Sequence, residues 1–183
     1  MSARLFVALE VGEDDRAALA DWARAAVGED RGMRVVAPEQ VHLTLAFLGH
    51  RSPDEIPELA EVAGRFAGRA APPLRTGGAL WLSPRRPHVL TVAIDDVAGA
   101  LGVLHGELWD ALEALGHERE RRPFRPHLTV ARVRHGWTAP GTALPPAPQR
   151  ALAAGAVVLM RSWLGGGPAR YEALERAALR GES

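Results

Sequence analysis

Val41-His42-Leu43-Thr44-Leu45-Ala46-Phe47-Leu48-Gly49 and Pro126-His127-Leu128-Thr129-Val130-Ala131-Arg132 carry one word twice, H-L-T-L and then H-L-T-V, with the histidines 85 positions apart. In both copies apolar residues alternate with His and Thr. Successive side chains of a β-strand point to opposite faces. Each copy therefore sets one His and one Thr side by side on one face and Leu43/Leu45 or Leu128/Val130 on the other. Two such strands suggest a symmetric site in which two imidazoles meet across one substrate.

Outward from the motifs, the two halves of the chain run in the same order. The first opens with a strand at Leu5–Leu9. An amphipathic helix over Asp14–Val27 follows, with Leu19, Trp22, Ala23 and Ala26 at helical spacing. After a short segment at Arg34-Val35-Val36 comes the motif strand Val41–Leu48, which Gly49 is expected to end. Pro53–Ala70 reads as a second helix, Pro72-Pro73 breaks the chain, and Leu74–Leu82 reads as a strand. The second half repeats the pattern with a strand at Val89–Ile94, a helix over Val97–Leu115 stopped by Gly116, and the motif strand Leu128–Val133. The opening strand precedes the motif histidine by 37 residues in one half and 38 in the other, which suggests a duplicated β-α-β unit. Gly136–Pro148 reads as a Pro-rich excursion, and strands at Ala156–Leu164 and Tyr171–Leu179 form a hairpin through Gly165-Gly166-Gly167-Pro168.

Composition narrows the chemistry. The formal net charge is zero, so there is no global basic field, and any anion site must be local. Without cysteine there are no disulfides and no thiolate metal sites. All 22 basic residues are arginine. The absence of lysine excludes Schiff-base chemistry, a P-loop lysine and a ligase with an adenylated lysine. The longest apolar run, Ala151–Met160, is half of what a membrane span requires. The expectation is a cytoplasmic, monomeric protein of one domain over 1–183, made of two packed lobes that can exchange strands, with no membrane partner.

The two H-x-T-x words resemble the signature of the two-histidine (2H) phosphoesterases. The first is followed by Ala46-Phe47-Leu48-Gly49, the second is preceded by Arg122-Pro123-Phe124-Arg125-Pro126, and Arg4-Leu5-Phe6-Val7-Ala8 and Tyr171-Glu172-Ala173-Leu174 match as well. Together these residues are most similar to the bacterial and archaeal RNA 2′,3′-cyclic phosphodiesterases, also called 2′-5′ RNA ligases, over nearly the whole chain. The resemblance implies an α+β fold of two pseudo-symmetric lobes, in which two antiparallel sheets face each other across a central groove with helices outside. It implies hydrolysis of an RNA terminal 2′,3′-cyclic phosphate to a 2′-phosphate without cofactor or metal, and 2′-5′ ligation by the reverse chemistry. The other readings are a small nucleotide, a 2′-5′ oligonucleotide or an ADP-ribose cyclic phosphate as substrate, and a non-catalytic RNA-binding module.

Opening a cyclic phosphate requires a base for water, an acid for the departing ribose oxygen, and donors for the equatorial oxygens. Histidine, with an ordinary pKa near ~6.5, serves either proton role at neutral pH. The resemblance makes His42 the proton donor and His127 the acceptor, with Thr44 and Thr129 donating to phosphate oxygens. Arg125 and Arg132 crowd His127 in sequence, which would favour its neutral form. The segment His117–Arg134 is the one basic patch, and within it Arg125 and Arg132 match family substrate-binding positions. Arg119, Arg121 and Arg134 read as solvated. Arg132 lies five residues after His127, so strict alternation puts it on the opposite face unless the strand bulges. By the same parity Phe47 reads as core. Phe124 reads equally as base platform or packing, and Tyr171 matches a position near the groove. The tryptophans read as core, and His50, His88, His105, His117 and His135 as surface. No second ligand at close spacing supports a metal site at either motif histidine.

Overall fold

A computed structural model describes residues 2–82, 86–139, 143–163 and 169–181. The elements in chain order are β1 (Ala3–Val11), α1 (Glu13–Val27), β2 (Met33–Val35), β3 (Leu43–Arg51), α2 (Ile56–Gly64), β4 (Leu74–Leu82), β5 (Val89–Asp96), α3 (Ala100–Ala114), β6 (His127–Val133), β7 (Ala151–Leu152), β8 (Ala154–Trp163) and β9 (Arg170–Ala178). The strands form one antiparallel sheet in the order β7-β4-β5-β6-β3-β1-β8-β9, with β2 attached to β6. The sheet curls into a half-barrel.

This corrects the expectation of two separate sheets. β3 and β6 meet through the register pair Leu43↔Leu128, which makes the sheet continuous at its centre. Outward from that junction the order is mirrored. β5 pairs with β6 as β1 pairs with β3, and β4 and β7 continue one side as β8 and β9 continue the other. The outer strands therefore do not stay with their own half of the sequence, since β4 joins β5 and β8 joins β1.

One face of the sheet makes the core. Leu5, Val7 and Leu9 of β1 point there with Leu43, Leu90 and Leu128, all fully buried, against Leu19 and Ala23 of α1, Leu59 and Val62 of α2, and Leu101, Leu108 and Leu112 of α3. Packing the three helices on one side leaves the other side of the central strands free to line a groove. α3 ends as its sequence predicts. Gly116 takes φ 87° and donates to Glu113, while His117 donates to Leu112, closing a Schellman motif.

Several boundaries differ from expectation. Gly49 does not end β3. It takes φ 72° inside the strand, which continues to Arg51. The helix expected over Pro53–Ala70 is a 3-10 turn at Pro53–Glu55, closed by a capping box from Ser52, and then α2, which stops at Gly64. Beyond it the chain turns back to the C-terminal segment, where Gly68 and Ala71 donate to the carbonyls of Ala178 and Arg180. Those bonds replace further helix. In the Pro-rich excursion, 140–142 lie outside the described residues, but the end of the loop is tied down. Trp22 Nε1 donates to the Pro146 carbonyl, Thr76 Oγ1 donates to that of Pro148, and Ala147 is buried. The turn Gly165–Pro168 lies outside the described residues, and β8 and β9 pair as a hairpin. Trp137 and Trp163 are exposed rather than core.

Candidate active site

The antiparallel register at Leu43↔Leu128 fixes the centre of the groove. One step to either side sets His42 across from Thr129 and Thr44 across from His127. The leucines face the core, so these four polar side chains share the other face. Each histidine is pinned in the same way. His42 Nδ1 donates to the Gln40 carbonyl and His127 Nδ1 to the Arg125 carbonyl, both at 2.7 Å and both two residues upstream. A carbonyl only accepts, so Nδ1 carries the proton and Nε2 is the nitrogen left for chemistry.

Both motif strands bulge just after their threonine. In β3 the partners of Val7 and Ala8 are Ala46 and Thr44, so Leu45 is the extra residue. In β6 the partners of Leu90 and Thr91 are Ala131 and Thr129, so Val130 is extra. An inserted residue reverses the facing of every later position in the strand. Arg132 thus lines the same pocket as His42. Phe47, in the equivalent position of the first motif, pairs with Phe6 and is 41% exposed, with the Arg4 guanidinium 4.6 Å above its ring. The expectation that Phe47 is core is corrected by the bulge that strict alternation omits.

Two cavities meet at Thr44. The smaller, about 250 Å³, holds His42, Thr129, Arg34, Arg132, Gln40 and Tyr171. The larger, about 820 Å³, runs from His127 past Phe47, Phe124, Arg122 and Arg125. In the smaller one, Phe6 stacks on His42 at 5.0 Å between centroids, and Tyr171 meets the imidazole edge-on at 5.3 Å. Burial pushes the His42 pKa down to about 4. The Gln40 carbonyl opposes the shift, and Arg132 and His127 add to it. The positive charge that sequence proximity assigns to His127 therefore acts on His42, across the sheet.

In the larger cavity Phe124 is half-buried. Its ring stacks on His105 at 3.8 Å and 10°, and Trp109 Nε1 donates to His105 Nε2. His105 is thus a packed residue rather than a surface one. Burial lowers its pKa, with Arg119 adding to the shift and the Leu45 carbonyl opposing it. His117, 7% exposed, is likewise not a surface residue. Arg119 is engaged by Asp110 and Glu113, while Arg125 is exposed beside His127. Among the described residues, no three His, Asp or Glu side chains converge as a metal site. Sequence reading missed Phe6, Gln40, Arg34, Arg4 and His105 as parts of this site. For His105 the available signal was its i, i+4 spacing to Trp109.

A half-barrel that brings two H-x-T-x strands together across one groove defines a class, and the chain belongs to it: the 2′-5′ RNA ligase superfamily, whose family model matches residues 13–160. Within that class it is 34% identical over 191 residues to an RNA 2′,3′-cyclic phosphodiesterase of Thermus thermophilus, covering 98% of this chain and 91% of that one. It is 29% identical over 177 residues to the Escherichia coli RNA 2′,3′-cyclic phosphodiesterase, covering 96% of each. Among solved structures, a Thermus thermophilus protein superposes with a TM-score of 0.79 at 32% identity, over 98% of this chain and 100% of that one. Escherichia coli LigT complexed with 3′-AMP superposes with a TM-score of 0.77 at 28% identity, over 98% and 99%. Among the described residues, no helix is long and apolar enough to cross a membrane.

Proposed function

We propose that this chain hydrolyses the 2′,3′-cyclic phosphate at an RNA end to a 2′-phosphate, by acid–base catalysis between His42 and His127. The observation that carries the reading is the reciprocal square in which each motif's histidine stands across from the other motif's threonine. Thr44 and Thr129 donate to the equatorial phosphate oxygens. His127 Nε2 takes a proton from water as its oxygen attacks phosphorus. The P–O3′ bond breaks, and His42 Nε2–H delivers a proton to O3′, leaving a 2′-phosphate and a 3′-hydroxyl. With a 5′-hydroxyl in place of water, the same steps close a 2′-5′ linkage. Alone, the protein holds His42 neutral at neutral pH. The anionic phosphate beside it favours the imidazolium and offsets Arg132, so the donor form arrives with the substrate.

The two cavities divide the substrate. The larger has the volume, the exposed Phe47 ring and the Arg122 and Arg125 guanidiniums for a nucleoside and its backbone. Arg132 and Tyr171 border the phosphate on the other side. Incubation with an oligonucleotide ending in 2′,3′-cyclic phosphate, followed by product mapping, tests the reading. A 2′-phosphate product supports it, and an unchanged cyclic end refutes it.

A further inference from the structure

Arg34 and Arg132 are direct cross-strand partners on β2 and β6. Residues so opposed share a face, and like charges there repel. Both line the smaller cavity beyond His42. Among the described residues, six arginines sit in ion pairs with carboxylates, and neither of these two is among them. Burial lowers the pKa of Arg132, Tyr171 opposes the shift, and Arg34 and Arg4 add to it. Arg4 is the third guanidinium of the group, and among the described residues it meets the Ser162 hydroxyl and the Phe47 ring.

A cyclic phosphodiester carries one negative charge, and the threonines and histidines already surround it. Three guanidiniums leave positive charge over. The Arg34–Arg132 pair also lies three residues along β6 from Thr129, roughly 10 Å at ~3.3 Å per residue. That offset is too long for a phosphate held by Thr129 to occupy both places, and short enough for one nucleotide linkage plus an arginine side chain to span.

We propose that Arg34 and Arg132 form a second anion site, which takes the phosphate on the 5′ side of the nucleoside that bears the cyclic phosphate. That group is an internucleotide phosphodiester in RNA and a 5′-phosphate in a mononucleotide. The inference rests on the cyclic-phosphate reading above and sets its substrate class: the enzyme prefers a substrate with two phosphates flanking one nucleoside.

The test compares kcat/KM for adenosine 2′,3′-cyclic phosphate, its 5′-phosphorylated form, and a dinucleotide ending in cyclic phosphate. The comparison is made for the wild-type protein, Arg34→Gln and Arg34→Lys. Ratios between substrates do not depend on the fraction of folded enzyme, so partial misfolding of a variant does not mask the result. The wild type is expected to favour the 5′-phosphorylated nucleotide and the dinucleotide about tenfold over the 5′-hydroxyl form. Arg34→Gln should bring that ratio to about one, and Arg34→Lys should retain part of it. A wild-type ratio near one, or a preference unchanged in Arg34→Gln, overturns the second site while leaving the phosphodiesterase reading standing. A gain for the dinucleotide alone means that the second nucleoside is read rather than the phosphate, and also overturns it. Hydrolysis of none of the three overturns the phosphodiesterase reading itself.

Discussion

Leu43 and Leu128 face each other across the centre of the sheet, joining the two motif strands. Both are fully buried. One apolar contact thereby sets the spacing of four polar groups. With the leucines turned into the core, His42, Thr44, His127 and Thr129 turn together into the groove, crossed so that each histidine meets the other strand's threonine. Neither half of the chain contains a site by itself.

His42→Ala and His127→Ala should each lower kcat by roughly 10²–10⁴-fold, the range of one acid or base. The double variant should fall little further, because the two act in one step. Both lie on the groove face, so circular dichroism should be unchanged. Retention of most activity in either single variant removes the two-histidine mechanism.

Proton NMR of the imidazoles gives a second expectation. In the protein alone the His42 ring should stay neutral down to about pH 4, and on adding a cyclic-phosphate analogue its midpoint should move up. The same burial has a stability consequence. His42, His105 and His117 all have lowered values, so the unfolded chain binds more protons than the folded one below the ordinary histidine range of ~6.5. Their contribution is complete above that range and is lost as pH falls, for His42 toward about 4. Denaturant midpoints measured between about pH 7 and pH 4 should decline, and the decline should be shallower in His42→Asn.

His105→Ala should affect both stability and turnover. It removes a stacked partner of Phe124 and leaves the Trp109 N–H without its acceptor. A lost aromatic pair costs ~0.5–1.5 kcal/mol and a buried orphan donor ~1–3 kcal/mol. Phe124 immediately precedes Arg125, whose carbonyl orients His127, so kcat should drop several-fold. His105→Phe should recover part of the kcat, since it keeps the stack. Thermal melts and steady-state rates on the two variants check this, and equal rates in both would detach the stack from the chemistry.

Much of this site is legible in the sequence because strand periodicity is a local property. The alternation through His42-Leu43-Thr44 and His127-Leu128-Thr129 assigns both faces, and the repeated order of strand, helix and motif gives the duplication. The rest depends on longer-range contacts. That β3 and β6 join one sheet rather than edge two is decided by the Leu43–Leu128 pairing between halves. The positions of Phe47 and Arg132 depend on bulges at Leu45 and Val130, where an extra residue is accommodated against β1 and β5 and no local signal marks it. Arg132 neighbours His127 in sequence yet acts on His42 in space.

The last expectation concerns RNA against a bare nucleotide. The chain has zero net charge, so long-range attraction is weak, and any salt dependence must come from guanidiniums in the groove. Arg122 and Arg125 line the larger cavity, and both are exposed. Each neutralised phosphate of a single strand steepens the log–log salt dependence of binding by about 0.7. With these two residues engaged, KM for an oligonucleotide ending in cyclic phosphate should rise with salt at a slope of roughly 1–2, while that for a 5′-hydroxyl cyclic mononucleotide should stay nearly flat. Arg125→Ala should reduce the oligonucleotide slope by about one phosphate's share, and should raise KM more than it lowers kcat, because its backbone carbonyl, which holds His127, is retained. Steady-state rates across a salt series on the two substrates decide the matter. If the mononucleotide is processed as efficiently as the oligonucleotide and neither responds to salt, the groove does not read an RNA backbone, and the substrate is a small cyclic nucleotide instead.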